Sequence, residues 1–165
     1  METWLKSIIL FLLFGFLAIF QISFLVHFNI IGTTPNLIFI LFFLAVFFSG
    51  RDKSTPRFKT AFFSALFAGL FLDIFYFPYF GLAIILLLIM AYILKYILFL
   101  LKKTRDEYPI VYFAPLFILF FIFFNIFLTT SIPILNWVFL VEIIYNLIFA
   151  LLGFYIFKTL KLYEF

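Results

Sequence analysis

The sequence predicts an all-α, polytopic membrane protein with six transmembrane helices, and three observations carry that prediction. The 165 residues are 68% hydrophobic and only 11% charged, whereas soluble domains carry about 25% charged residues. A soluble domain of this size could not bury so much apolar surface, because small domains leave much of their surface exposed. The apolar residues form six runs, and the basic residues fall between alternate runs.

Each run is interpreted as one span, because about 20 mostly apolar residues are needed to cross the hydrocarbon core of a bilayer. The second run is the shortest, and Pro35 precedes it at a position where a helix can begin. A cleaved signal peptide is the competing interpretation of the first run, but that run is too long for one and no A-x-A-like site follows. One integral membrane domain, residues 1–165, therefore holds spans at about 7–31, 36–49, 58–75, 81–101, 110–128 and 135–157.

The distribution of charge predicts the orientation of these spans. Ten of the eleven Lys and Arg residues fall in the N-terminus, two charged loops and the C-terminus, and Lys95 lies near the same end of the fourth span. The three connectors on the other side contain no Lys or Arg. The positive-inside rule then places both termini in the cytoplasm.

The residue inventory excludes several classes of chemistry. The chain has no cysteine and one histidine, His27, so a disulfide scaffold, a thiol nucleophile and a polyhistidine metal site are excluded. It also lacks the G-x-S-x-G, Gly-rich phosphate-loop and H-E-x-x-H motifs. We therefore predict that the protein is not an enzyme and uses no cofactor, metal or nucleic acid. The basic loops could meet anionic lipid or an acidic cytoplasmic partner.

A stripe of small residues on the third span leads to a carboxylate. Ala61, Ala65 and Gly69 recur every four residues, and Asp73 continues the series. Small residues at this spacing let helices pack closely in lipid. Three roles for Asp73 stay open: a cap for the next helix or its loop amides, a polar anchor for a partner or another span, and proton relay or catalysis.

A second stripe runs along the sixth span through Glu142, Asn146, Ala150 and Gly153. Charged groups within spans usually face protein, because their burial in hydrocarbon is costly. A hydrogen bond between helices is the favoured role for Glu142. If Glu142 and Asp73 approached each other, the two carboxyls could do acid–base work. His27, near the outer end of the first span, suits an interfacial or inter-helix bond, and Gln21 and Asn125 suit inter-helix bonds.

Two segments carry a family resemblance. "TTPNLIFILFF" and, after a basic loop, "ALFAGLFLDIFYFPYFGLAIILL" resemble the bacterial rod shape-determining protein MreD family. That family has a proline-led run opening the second span, then a small-residue helix ending in G-L-x-x-D, a proline turn and Gly-Leu. This chain departs from it in Phe77, where a glycine is frequent. The matching residues are Pro35, Asn36, Gly69, Leu70, Asp73, Pro78, Gly81 and Leu82.

The resemblance implies a non-enzymatic scaffold of the cell-elongation (rod) complex in the bacterial cytoplasmic membrane. Members of the family bind MreC, in a complex with MreB, RodA and penicillin-binding protein 2, and support cell shape and peptidoglycan synthesis. The family is also similar to the substrate-binding membrane subunits of energy-coupling-factor transporters. The alternative function is therefore a vitamin-binding subunit, with Asp73, Glu142, His27 and Trp137 as candidate pocket residues.

Overall fold

The computed structural model describes residues 2–30, 32–49, 58–76, 79–102, 110–129 and 137–159, which form six α-helices. A 3-10 turn, Leu25–Phe28, follows the first of them. The all-α prediction is therefore confirmed. The helices are α1 (Glu2–Ser23), α2 (Leu37–Phe48), α3 (Phe58–Phe75), α4 (Leu82–Lys102), α5 (Ile110–Thr129) and α6 (Trp137–Thr159).

Two of the six helices are long and apolar enough to cross a membrane. These stretches are Leu82–Leu101 in α4 and Trp137–Thr159 in α6. Shorter apolar helical stretches lie at Ser7–Ser23, Leu37–Phe48 and Val111–Phe127. By length and composition, the described part of the chain is consistent with a membrane-associated protein.

The first helix ends earlier than its apolar run. The run extends to about residue 31, but α1 ends at Ser23 and the chain turns before α2. Ile30 and Thr33 exchange two backbone hydrogen bonds at 3.0 Å, and Gly32 between them has a φ of +83°. That left-handed conformation suits glycine. Apolar composition continues through this turn, so hydropathy alone could not locate it.

The short helix α2 forms the centre of the molecule. Every residue from Ile38 to Phe48 is buried, as expected of a helix that is apolar on all sides. It packs against α1, α3, α4 and α6, and its phenylalanines meet rings of α5. At 1.5 Å per residue its 12 residues span about 18 Å, less than the ~30 Å of a hydrocarbon core. Neighbouring helices therefore surround α2 along its length.

Phenylalanine supplies much of the contact between α2 and its neighbours. Phe43 lies 5.3 Å from Phe117 of α5 with the rings perpendicular, and Phe47 lies 5.2 Å from Phe113 at 89°. Phe154 of α6 joins the same cluster, 4.7 Å from Phe113. Edge-to-face rings at these distances are a favourable aromatic geometry. Part of the high phenylalanine content is thus used for packing the core.

The other five helices follow one another around α2. Successive pairs pack together in the order α1–α3, α3–α4, α4–α5 and α5–α6. Along their described lengths, α1 and α6 make no comparable packing contact. Among the described helices, α1 and α6 therefore leave an open side between their outer faces, although α2 beneath them stays buried.

The small-residue stripe of α3 is buried against its neighbours. Ala61 and Ala65 are almost fully buried, and Gly69 lies directly against α4. A Cβ atom on Gly69 would lie 2.4 Å from the Cα of Ile84. On α6, a Cβ on Gly153 would lie 2.6 Å from a terminal methyl of Leu44. Both glycines permit close helix approach, but only Gly69 meets backbone, which cannot move aside.

Comparing two glycine substitutions tests this difference. Gly69→Ala should lower the free energy of unfolding by about 1–3 kcal/mol, the usual range for overpacking, because Ile84 can yield only if α4 shifts. Gly153→Ala should cost less, because the Leu44 side chain can change rotamer. Unfolding in mixed micelles by a titrated denaturing detergent measures both, and equal losses would contradict the backbone contact.

Candidate functional site

Asp73 joins the end of α3 to the start of α4. Its carboxylate Oδ2 accepts a hydrogen bond from the Gly81 N–H at 2.9 Å, and Oδ1 accepts one from the Ala83 N–H at 2.8 Å. The Ile84 N–H makes a longer contact of 3.3 Å to Oδ2. The side chain is only 3% exposed. Both carboxylate oxygens are therefore engaged by the backbone of α4.

The physical chemistry of a helix start explains this arrangement. The first N–H groups of a helix have no partner inside it, and the helix dipole leaves partial positive charge there. A carboxylate satisfies both requirements. Gly81, with a φ of +98°, takes the left-handed conformation that turns the chain into α4, and Gly69, one turn before Asp73, leaves room for Ile84. Of the roles considered for Asp73, the structure shows the helix cap.

The start of α2 is bonded by the side chain of its own N-cap residue and by side chains from two other helices. Asn36 Oδ1 accepts from the Phe39 N–H at 3.0 Å, which caps its own helix. The Asn36 N–H donates to Asn146 Oδ1 of α6 at 2.7 Å. The Leu37 N–H donates to Gln21 Oε1 of α1 at 2.9 Å. We call the end of the bundle that holds these caps and the Asp73 cap the capped end.

These amides perform a task that water performs at exposed helix ends. Gln21 and Asn146 are 3% and 0% exposed, so their partners are the groups within the bundle. The Nδ2 group of Asn146 donates to the Glu142 carbonyl at 2.9 Å, which orients the amide. A buried backbone N–H without an acceptor is costly. The start of α2 is therefore stable only when α1 and α6 are in place.

Gln21 also connects the capped end to the residue that follows α3. Its side chain hydrogen-bonds the Tyr76 side chain. Burial raises the pKa of Tyr76 above its ordinary value, and the hydrogen bond from Gln21 offsets part of that rise. The α1 amide thus contacts the start of α2 and the end of α3 together.

The other candidate residues take no part in these helix caps. Glu142 is half-buried on α6, and within the described residues its carboxylate has no hydrogen-bond or ion-pair partner. His27 is exposed in the 3-10 turn, and Trp137 is 68% exposed. No hydrogen bond joins the carboxylates of Asp73 and Glu142. Pro78 lies outside the described residues.

Sequence reasoning located some of these bonds and missed others. Gln21 makes the expected inter-helix bond. Asn125 donates to the Phe121 carbonyl one turn before it at 3.0 Å and makes a further contact besides this bond. Lys95 is buried in the bundle, at 5% exposure. The convergence of Gln21 and Asn146 on α2 was missed. The one local signal was Asn36 after Pro35, since asparagine is a preferred N-cap.

The described residues contain no group of three His, Cys, Asp or Glu side chains able to hold a metal ion.

Comparisons of the chain with protein-family models, curated proteins and solved structures find no match. The geometry of the capped end and the sequence motifs are therefore the features that bear on function.

Two substitutions of Asp73 test the α4 cap. Asp73→Ala should lower the free energy of unfolding by about 1–3 kcal/mol, because it leaves buried N–H groups without an acceptor. Asp73→Asn keeps one acceptor oxygen and should lose less. Hydrogen exchange at the Ala83 amide should accelerate in the same order. Unchanged exchange at Ala83 in Asp73→Ala would show that the cap is dispensable.

A matched pair of buried polar residues tests the α2 cap. Asn146→Leu should lower the free energy of unfolding by about 1–3 kcal/mol, because the Asn36 N–H loses its acceptor. The control is Ser64→Ala. The Ser64 side chain is as buried as that of Asn146, but its hydroxyl donates to the Thr60 carbonyl of its own helix at 2.7 Å. Denaturant titration of both variants gives the comparison, and equal losses would be evidence against inter-helix capping by Asn146.

Proposed function

We propose that this chain is a six-span, non-enzymatic scaffold of the bacterial cell-elongation complex, a member of the MreD family. It supports cell shape and peptidoglycan synthesis in the cytoplasmic membrane, with both termini in the cytoplasm. MreC is its direct partner, in a complex with MreB, RodA and penicillin-binding protein 2. The observation that carries the proposal is that Gly69, Asp73 and Gly81, the centre of the family-like motif, form one structural unit at the α3–α4 junction.

The outward faces of the long helices support a membrane location. Large apolar side chains are strongly exposed on α1, α4 and α6, including Leu12, Phe16, Ile85, Phe99, Ile144 and Leu152. Soluble monomers rarely expose contiguous apolar patches of this kind. Bilayer lipid is the natural solvent for these faces. The shorter helix α2 needs no lipid contact, because the other helices surround it.

The use of the buried polar groups supports a scaffold over an enzyme. Asp73, Gln21 and Asn146 bond the first N–H groups of α4 and α2. A general acid or base has to reach a proton of the substrate, whereas the Asp73 carboxylate is buried and bonded through both oxygens. The same engagement disfavours the vitamin-binding alternative, which would use Asp73 in an open pocket.

Co-purification tests the scaffold function. The tagged chain, expressed with the MreC of its own organism and extracted in mild detergent, should retain MreC through affinity and size-exclusion steps. Gly69→Leu should weaken that association, because it separates α3 from α4. Mass spectrometry of the same sample looks for a bound vitamin. A stoichiometric small ligand without MreC would overturn the scaffold in favour of a transport subunit.

A further inference from the structure

The open side of the helix layer forms a seam between α1 and α6. Each of these helices packs on α2 and on one further neighbour, α3 for α1 and α5 for α6. The two helices meet at the capped end, where the Tyr145 hydroxyl donates to the Phe28 carbonyl at 3.3 Å. Away from that bond they make no extended contact along their described lengths. Among the described helices, the seam is therefore a groove between α1 and α6, and α2 stays buried beneath it.

The α6 wall of the seam follows from helical geometry. Phe154 faces α5, because its ring contacts Phe113. Successive residues of a helix are turned by about 100°. The side of α6 that faces away from Phe154, beyond the buried Asn146 and Ala150, therefore carries Glu142, Tyr145 and Phe149. The bond from Tyr145 to Phe28 shows that this side faces the α1 end of the seam. Glu142 is thus an edge residue of the seam, beside the α2 contact.

The α1 wall is aromatic. Phe11 contacts Phe67 and Phe71 of α3. These contacts identify the face of α1 that packs on α3. Further around α1, away from those contacts, stacked rings run toward the capped end, with centroids 6.1, 4.9 and 4.9 Å apart. This ladder consists of Phe16, Phe20, Phe24 and Phe28. Its rings are partly or largely exposed.

The carboxylate at the edge of the seam requires a hydrogen-bond donor. Within a membrane, carboxylates pair with other polar groups because leaving them in hydrocarbon is costly. Within the described residues, Glu142 has no such partner. Every lysine in the described helices lies in the half away from the capped end: Lys6, Lys59, Lys95, Lys102 and Lys158. Among the described basic residues, a second copy in the same orientation would therefore present only His27 near the level of Glu142.

We propose that the seam between α1 and α6 receives one transmembrane helix of a partner protein, which carries a basic or amide side chain at the level of Glu142. The aromatic ladder provides the apolar contact, and Glu142 provides the polar contact that sets the depth of the incoming helix. This inference rests on the proposed scaffold function and assigns the partner a place on it. Acyl chains could fill the seam, but they carry no donor for Glu142.

Site-specific photocrosslinking tests the seam. p-Benzoylphenylalanine is introduced in place of Phe20 on the α1 wall or Phe149 on the α6 wall, and the chain is expressed with the MreC of its own organism. The matched control position is Phe127 of α5, an exposed phenylalanine near the same end of the bundle. Irradiation should crosslink MreC through its membrane helix from the two seam positions and not from Phe127.

Substitution of Glu142 tests the polar contact. Glu142→Leu should reduce crosslinking from Phe149 by roughly 3- to 30-fold, the range that corresponds to one inter-helix hydrogen bond in a membrane. Glu142→Gln should retain most of it, because an amide still bonds a donor. Unchanged elution and thermal midpoint of each variant confirm that the fold is intact. Equal crosslinking by Glu142→Leu and wild type would overturn the role of Glu142.

The outcomes separate the seam from the proposed function. MreC crosslinking only from Phe127 would overturn the seam and leave the scaffold function standing. The seam positions could instead crosslink a different single-span protein that has a hydrogen-bond donor at the depth of Glu142. If Glu142→Leu abolished that crosslink, the result would support the seam and overturn MreC as the partner. Adducts between two copies of this chain, abolished by His27→Ala, would overturn a foreign partner. No polypeptide adduct from either wall would overturn the docking site.

Discussion

The hydrogen bonding of backbone N–H groups at two helix starts is the constraint on which the rest of the structure depends. Helices α2 and α4 begin among other helices, where neighbouring side chains must take the place of water. Asp73 supplies acceptors for α4, while Gln21 and Asn146 supply them for α2. Because an unsatisfied N–H is costly in an apolar medium, each of these polar residues determines which helices are neighbours.

The central position of α2 follows from the same constraint together with its composition. A 12-residue helix that is apolar on every side gains most from being surrounded, and phenylalanine rings from α5 and α6 fill the space around it. The caps then fix its register, since a shift of one residue would leave the Asn36 and Leu37 N–H groups unbonded. Packing therefore determines that α2 lies at the centre of the bundle, and the hydrogen bonds determine its position along the bundle axis.

A helix bundle built this way has few buried polar groups left for other tasks. Asp73, the sequence's most conspicuous carboxylate, is used entirely within the fold, while Glu142 on α6 keeps a carboxylate without a partner among the described residues. The contrast arises from position. Asp73 lies one turn beyond Gly69, directly against the start of α4. Glu142 lies beside the seam, where the described residues offer its carboxylate no hydrogen-bond partner.

The sequence by itself determined the helical class, the position of most helices, the close packing at Gly69 and the proximity of Asp73 to a helix start. These follow from hydropathy, from four-residue spacing and from a short connector, all of which are local along the chain. It could not place Gln21 and Asn146 at the start of α2, because 16 and 110 positions separate these residues from their partners. Nor could it end α1 at Ser23, since the following turn is as apolar as the helix. Only tertiary structure decided those features and the open side between α1 and α6, because they depend on which helix faces pack together in space.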